Sequence, residues 1–210
     1  RLGRLDKDHM VELIRSAGIH CLIDATHPFA AEASTTAIEA CQQTAVPYIR
    51  FQRKAFPLPQ SELIHQVKDQ REAAHLACRL GQTIFLTTGA KDLEVFCKHA
   101  NEVGRKLLVR VLPSPESIQK CLQAGVHPDH IIAMKGPFSA RLNAALWSDL
   151  SVDTVVTKES GEQGGLSEKL EAAIELSINL VVVKRPTLHY PVCFEEPEAL
   201  RCYLREKGLT

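Results

Sequence analysis

No sign of charge prevails in this chain of 210 residues, where 25 lysines and arginines face 25 aspartates and glutamates. A non-specific hold on nucleic acid or on a membrane surface therefore has no electrostatic basis, and neither partner is expected. No apolar run approaches the length of a bilayer span, and the first residues do not read as a secretory signal. Cys-x-x-Cys pairs are absent. The seven cysteines, Cys21, Cys41, Cys78, Cys97, Cys121, Cys193 and Cys202, are odd in number and scattered. They read as reduced, mostly buried thiols of a cytoplasmic protein, not as metal ligands or a disulfide framework. Neither the Gly-x-x-x-x-Gly-Lys-[Ser/Thr] phosphate loop nor the Gly-x-Gly-x-x-Gly dinucleotide fingerprint occurs. Internal repeats, low-complexity tracts and heptads are missing too. The oligomeric state is not legible.

What is present is an almost unbroken alternation of short apolar runs and helical patterns. Strands are expected at 20–24, 47–51, 63–67, 83–87, 106–112, 130–134, 153–157 and 179–184. Helices are expected at 6–17, 30–45, 69–80, 91–99, 115–123, 138–148 and 166–176, with one more in the tail from 197 to 207. Asp6 or Asp8 and Ser114 are natural N-caps, the latter before Pro115. Such alternation means right-handed βαβ units and parallel sheets. Runs such as Leu180-Val181-Val182-Val183 suit strands buried on both faces. The fold class is α/β, with two Rossmann-like lobes. A boundary is expected near Gly81, giving lobes 1–81 and 82–210. The chain opens at Arg1 and its first methionine is Met10, so the first lobe is expected to be truncated at its N-terminus.

Chemistry gathers at four strand ends, where parallel α/β sheets bind their ligands. These are Asp24-Ala-Thr-His-Pro-Phe, Thr87-Thr-Gly-Ala-Lys91, Lys135-Gly-Pro-Phe-Ser139 and Thr157-Lys-Glu-Ser-Gly-Glu-Gln-Gly-Gly165. Helix starts hold anions on free N–H groups, and glycine admits close approach of a phosphate. Turns between strand and helix need Gly, Ser, Thr and Pro in any case. That plain reading suits the second loop taken alone, whereas the paired glycines of the fourth favour a ligand. Pro28 breaks the chain after His27, which is either a functional imidazole or a loop histidine bonded to backbone. Asp24 reads either as a carboxylate ligand or as a cap for the turn and helix after it, and the cap is favoured. Arg50 and Arg53, and later Arg110 and Arg185, are either solvated or carboxylate-binding. Trp147 is expected to pack its helix on the sheet.

An ordered set of motifs extends over nearly the whole chain. It comprises Asp24-Ala-Thr-His-Pro-Phe-Ala30, Tyr48-Ile-Arg50, Thr87-Thr-Gly89, Arg110-Val-Leu-Pro113, Gly136-Pro-Phe-Ser139 with Asn143, Thr157-Lys158 with Ser160-Gly161 and Gly164-Gly165, Lys169 with Ala172-Ala173, and Arg185-Pro186. Together they resemble the precorrin-6A reductases of cobalamin biosynthesis and their cobalt-precorrin-6A counterparts. The resemblance implies two Rossmann-like lobes with a cleft for cofactor and substrate. It implies NADPH-dependent reduction of a conjugated bond in a corrinoid, a tetrapyrrole rich in carboxylates. Family members usually begin with a strand and a Gly-Gly-Thr turn, which nothing here matches. Where they commonly carry a tryptophan after Arg53, this chain has Phe56 nearby.

On that resemblance His27 is the candidate catalytic residue, as proton donor or polariser. Thr88, Gly89, Lys158, Ser160, Gly161, Gly164 and Gly165 are assigned to NADPH. Thr26, Pro28, Phe29, Arg50, Gly136, Pro137, Phe138 and Ser139 are assigned to substrate. No metal site is expected. The alternatives are a non-catalytic two-lobed ligand-binding protein and another NADP-dependent oxidoreductase of similar fold. Substrate-dependent loss of NADPH separates the reductase from both.

Overall fold

The computed structural model describes residues 5–209. In chain order its elements begin with α1 (Lys7–Ser16), β1 (Leu22–Asp24), α2 (Ala31–Thr44), β2 (Tyr48–Phe51) and β3 (Ile64–Val67). Next come α3 (Gln70–Leu80), β4 (Thr83–Leu86), α4 (Leu93–Glu102), β5 (Lys106–Val111), α5 (Pro115–Gln123) and β6 (Ile131–Ala133). The remainder are α6 (Ala140–Asp149), β7 (Thr154–Lys158), α7 (Leu166–Glu175), β8 (Asn179–Val183), β9 (Cys193–Phe194) and α8 (Pro197–Glu206). Local chemistry explains several starts. The Asp6 carboxylate accepts the His9 N–H at 2.9 Å, and the Ser114 hydroxyl accepts that of Ser117 at 3.2 Å, with Pro115 filling the first helical position. Among the described residues no helix is long and apolar enough to cross a membrane.

Both sheets are wholly parallel. One has the order β1-β2-β9 and the other β3-β8-β7-β4-β5-β6. The chain divides into two compact units. One runs up to Lys54 and resumes at Pro186, and the other is Ala55–Arg185. The expected boundary at Gly81 is therefore corrected. β3 pairs with β8 from Ile64↔Leu180 to Val67↔Val183, which commits residues 55–81 to the second sheet. The tail, expected in the second lobe, returns to the first unit. There β9 lies beside β2, with the Arg50 N–H on the Val192 carbonyl at 2.8 Å. The expected incompleteness of the first lobe concerns residues ahead of Leu5 and lies outside the described residues.

In the first unit Val11, Ile14, Ala37, Ala40, Cys41 and Tyr48 form the core. In the second, Trp147 is fully buried against Phe85, ring centroids 6.1 Å apart, among Leu108, Leu166 and Leu180. This fulfils the packing role expected of it. The six-stranded sheet has one point where strand order reverses. From β4 the chain moves outward to β5 and β6, returns through α6 to β7 beside β4, and then continues to β8 on the other side. The loops after β4 and β7 thus leave neighbouring strand ends in opposite directions, the place where such sheets form a ligand crevice.

Candidate functional site

The loop after β4 is pinned to β7. Both the N–H and the hydroxyl of Thr87 donate to the Val156 carbonyl, at 2.9 and 3.0 Å, and Lys158 Nζ donates to the Thr88 carbonyl at 2.9 Å. Thr88 Oγ1 is buried with no hydrogen-bond partner among the described residues. Gly89 sits at φ +82°, and a Cβ there would meet no atom within 4 Å, so it supplies both a left-handed turn and open space. α4 then starts from Asp92, also left-handed, without a side-chain cap. Burial pulls the Lys158 ammonium below the usual lysine range.

The loop after β7 is organised by Glu159. Its Oε1 accepts from the Gly161 N–H at 3.1 Å, the Phe56 N–H at 3.2 Å and Arg185 Nη2 at 3.1 Å, and its Oε2 pairs with Arg185 Nε. Gly161 and Gly165 are left-handed, and α7 begins without a side-chain cap. Lys169 reaches back from α7, donating to the carbonyls of Gly164 and Gly165 at 2.8 and 2.9 Å. Thr88, Gly89, Ser160, Gly161, Gly164 and Gly165 therefore lie on two adjoining loops of one unit, with Lys158 at the end of β7 between them.

In the loop after β6, the Ser139 hydroxyl caps α6 by accepting the Leu142 N–H at 3.2 Å. Phe138 covers the Arg110 guanidinium, 4.3 Å from its carbon to the ring centroid. Gly136 makes room for that ring, because a Cβ there would lie 3.1 Å from it. Arg110 Nη1 donates to Asn143 Oδ1 at 2.8 Å.

The loop after β1 belongs to the first unit. Asp24 Oδ1 accepts from the Thr26 N–H and hydroxyl at 2.9 and 2.7 Å, and Oδ2 from the Ser34 and Tyr48 hydroxyls, both at 2.6 Å. It is more than a cap, because Arg50 Nη1 pairs with its Oδ1 at 2.8 Å. Burial alone would raise the Asp24 pKa, but the hydrogen bonds from Ser34, Tyr48 and Thr26 outweigh it and lower the value from 3.8 to about 2. The expectation that Arg50 meets a substrate carboxylate is corrected here. Arg50 has no exposed surface, and Nη2 also donates to the Thr26 carbonyl at 2.8 Å. Its charge is neutralised within the unit. His27 is exposed, while Pro28 is buried and Phe29 half-buried. His27 Nδ1 accepts the Phe29 N–H at 3.2 Å, which puts the proton of the neutral ring on Nε2.

Glu159 and Lys169 went unassigned at the sequence level. Lys169 did leave a signal. It shares a helical face with Leu166, Leu170 and Ala173, all buried, so a charge stands where the pattern calls for an apolar residue. Glu159 left none, since its partners Phe56 and Arg185 are remote in sequence.

Residues 1–205 match the family model described as "Precorrin-6x reductase CbiJ/CobK". Among curated proteins, the cobalt-precorrin-6A reductase of Priestia megaterium is 38% identical over 191 residues, covering 90% of this chain and 74% of the relative. That of Methanothermobacter thermautotrophicus is 44% identical, covering 89% and 61%. That of Methanocaldococcus jannaschii is 40% identical, covering 95% and 78%. The chain thus spans roughly three fifths to four fifths of these relatives. A solved structure described as "CobK precorrin-6A reductase" superposes with a TM-score of 0.83 at 26% identity, over 99% of this chain and 82% of that one.

Proposed function

The chain belongs to the precorrin-6x reductase family, and on that premise we propose that it uses NADPH to reduce a conjugated bond of precorrin-6A, or of its cobalt form, in cobalamin biosynthesis. The observation that carries this reading is the family match along residues 1–205. The residues at the strand-order reversal fit an anionic dinucleotide. Thr88 offers a buried hydroxyl without a partner, Gly89 offers open space and Lys158 offers positive charge. Thr88, Gly89, Lys158, Ser160, Gly161, Gly164 and Gly165 would hold its phosphates. When bound, NADPH supplies a hydride to one end of the conjugated bond and leaves as NADP⁺.

The other end of that bond takes a proton. His27 would hold it on Nε2, since Nδ1 is engaged by the Phe29 amide. Within the first unit Thr26 and Phe29 are the candidate substrate contacts, with Pro28 buried behind them in support, and within the second unit the candidates are Gly136, Pro137, Phe138 and Ser139. Arg50 is left out because its guanidinium is held by Asp24 and Thr26.

The test is anaerobic mixing of the protein, NADPH and precorrin-6A, with and without cobalt in the ring. Substrate-dependent loss of NADPH absorbance is expected with at least one ring form, and none with either would overturn the reading. In the same assay H27Q should lower kcat by about 10²-fold or more with KM little changed. An unaltered kcat would remove His27 from the chemistry.

A further inference from the structure

We propose that Arg110 and Lys169 form an anion subsite in the second unit, filled either by a carboxylate of the tetrapyrrole or by a phosphate of the dinucleotide. The identity of the anion rests on the function proposed above, but the existence of the subsite does not.

The argument starts from charge balance. Arg110 is 7% exposed and Lys169 is 8% exposed. Removing a cation from water is costly unless a counter-charge accompanies it. Elsewhere this chain follows that rule. Buried Arg50 pairs with Asp24 at 2.8 Å, and Arg185 pairs with Glu159. Arg110 and Lys169 are the exceptions, since neither has a carboxylate within ion-pair distance among the described residues.

Their N–H groups are oriented by neutral acceptors instead. Asn143 Oδ1 takes Arg110 Nη1, and the carbonyls of Gly164 and Gly165 take Lys169 Nζ. Those contacts direct the donors without neutralising them. The rings of Phe138 and Phe85, 4.3 and 5.5 Å from the Arg110 guanidinium carbon, hold it flat. The two cations also feel each other. Burial first, and then the Arg110 charge, bring the Lys169 ammonium down to about 8. Burial brings Arg110 down to about 10. Glu168 opposes the Lys169 shift, but its Oε2 accepts from the Ser167 hydroxyl at 2.8 Å and it makes no ion pair with Lys169. Two directed cations without a paired carboxylate are the donor set that an anion subsite requires. Arg110 is the penultimate residue of β5, and Lys169 grips the loop after β7, so both lie with the strand ends already assigned to ligand.

The test compares R110Q and K169M with the wild type, using pyrophosphate, NADP⁺ and uroporphyrin, a soluble tetrapyrrole polycarboxylate, as probes. A purely structural residue loses stability when replaced. An uncompensated cation does not, so both variants should melt at or above the wild-type temperature without ligand. Affinity for the relevant probe should fall by about tenfold or more. Loss confined to pyrophosphate and NADP⁺ identifies a phosphate, and loss confined to uroporphyrin identifies a carboxylate. Variants that melt lower yet bind all three probes normally would overturn the subsite. R110K and K169R keep the charge and should restore binding even if the neutral variants fold poorly, and failure of both also overturns it. Wild-type protein that is stabilised by pyrophosphate but never oxidises NADPH with precorrin-6A would keep the subsite and lose the proposed activity.

Discussion

Lys158 Nζ, at the end of β7, donates to the carbonyl of Thr88 at 2.9 Å and so helps tie the loop after β4 to β7. These are the neighbouring strands at which the strand order reverses. The lysine is half-buried, and that burial holds its ammonium below the usual range. Desolvating the lysine is costly, so fixing this loop should serve a purpose. Cofactor phosphate at Thr88 and Gly89 is that purpose in the proposed function.

Two substitutions separate support from contact. K158M keeps the stem but frees the Thr88 loop. It should weaken NADPH binding by about tenfold and change stability by less than about 1 kcal/mol, because the lost hydrogen bond and the relieved desolvation offset each other. T88V is isosteric and removes a buried hydroxyl without a partner, so stability should hold or rise slightly while NADPH affinity falls. Calorimetric titration with parallel thermal melts reads both. A T88V protein that is destabilised yet binds NADPH normally would make Thr88 a structural residue.

Asp24 and Arg50 make a different prediction, one about acid. The Asp24 carboxyl falls from 3.8 to about 2 on folding, because its hydrogen bonds outweigh burial. A carboxyl lowered in the folded state contributes stability that is whole above the unfolded value. That contribution is lost as pH falls from about 3.8 through about 2, and it amounts to about 2 kcal/mol. D24N should flatten this limb of the stability profile. R50Q leaves the carboxylate buried without its cation and should cost about 3 kcal/mol or more. Urea melts across that pH range check both. If Arg50 were a substrate contact, R50Q would raise KM and leave the melt unchanged.

Sequence patterns reveal what is local. The Asp6 cap, the Ser114-Pro115 start and the apolar Leu180–Val183 strand are each decided by neighbours within a few residues. The boundary near Gly81 failed because the pairing that settles it, Ile64↔Leu180, joins positions far apart in the chain. β9 was invisible for a related reason. Cys193 and Phe194 become a strand only because β2 offers them an edge, and two residues show no period. The site divides the same way. The glycines of 161–165 advertise a turn, whereas the partners of Arg50 and Glu159 exist only after folding.

Gly81 shows how tight such a non-local approach is. Its φ of −146° is open to any residue, so conformation does not require glycine there. Space does. A Cβ would fall 1.8 Å from Asp153 Oδ1 and 2.4 Å from Thr154 Oγ1. Asp153 cannot simply swing away, because its Oδ2 accepts the N–H groups of Gln82 and Thr83 at 2.8 and 3.2 Å. G81A should therefore cost about 2 kcal/mol by forcing those side chains apart. G81A/D153A should recover part of the loss, and a double-mutant cycle in denaturant measures it. Strict additivity would mean that the clash is relieved elsewhere.

The last prediction concerns Glu159, which reaches both ends of the second unit. It accepts the N–H of Phe56, near that unit's first residue, and holds the guanidinium of Arg185, its last. The same carboxylate takes the Gly161 N–H in the proposed phosphate loop. E159Q preserves shape but has one acceptor oxygen in place of two, set against three donor groups. It also leaves Arg185 without its countercharge. The cost should be about 2 kcal/mol, below that of a fully buried pair because both side chains keep some exposure. The loss should also be uneven. Amide hydrogen exchange should quicken at Phe56 and Gly161, whose shared acceptor Oε1 becomes the weaker, neutral amide oxygen, and remain slow in the centre of β7 and β8. NADPH affinity should fall with loop order, while R185K, which keeps the charge, should retain most of it. Unchanged exchange at Phe56 and Gly161 in E159Q would show that the backbone holds this loop unaided, leaving Glu159 only a partner for Arg185.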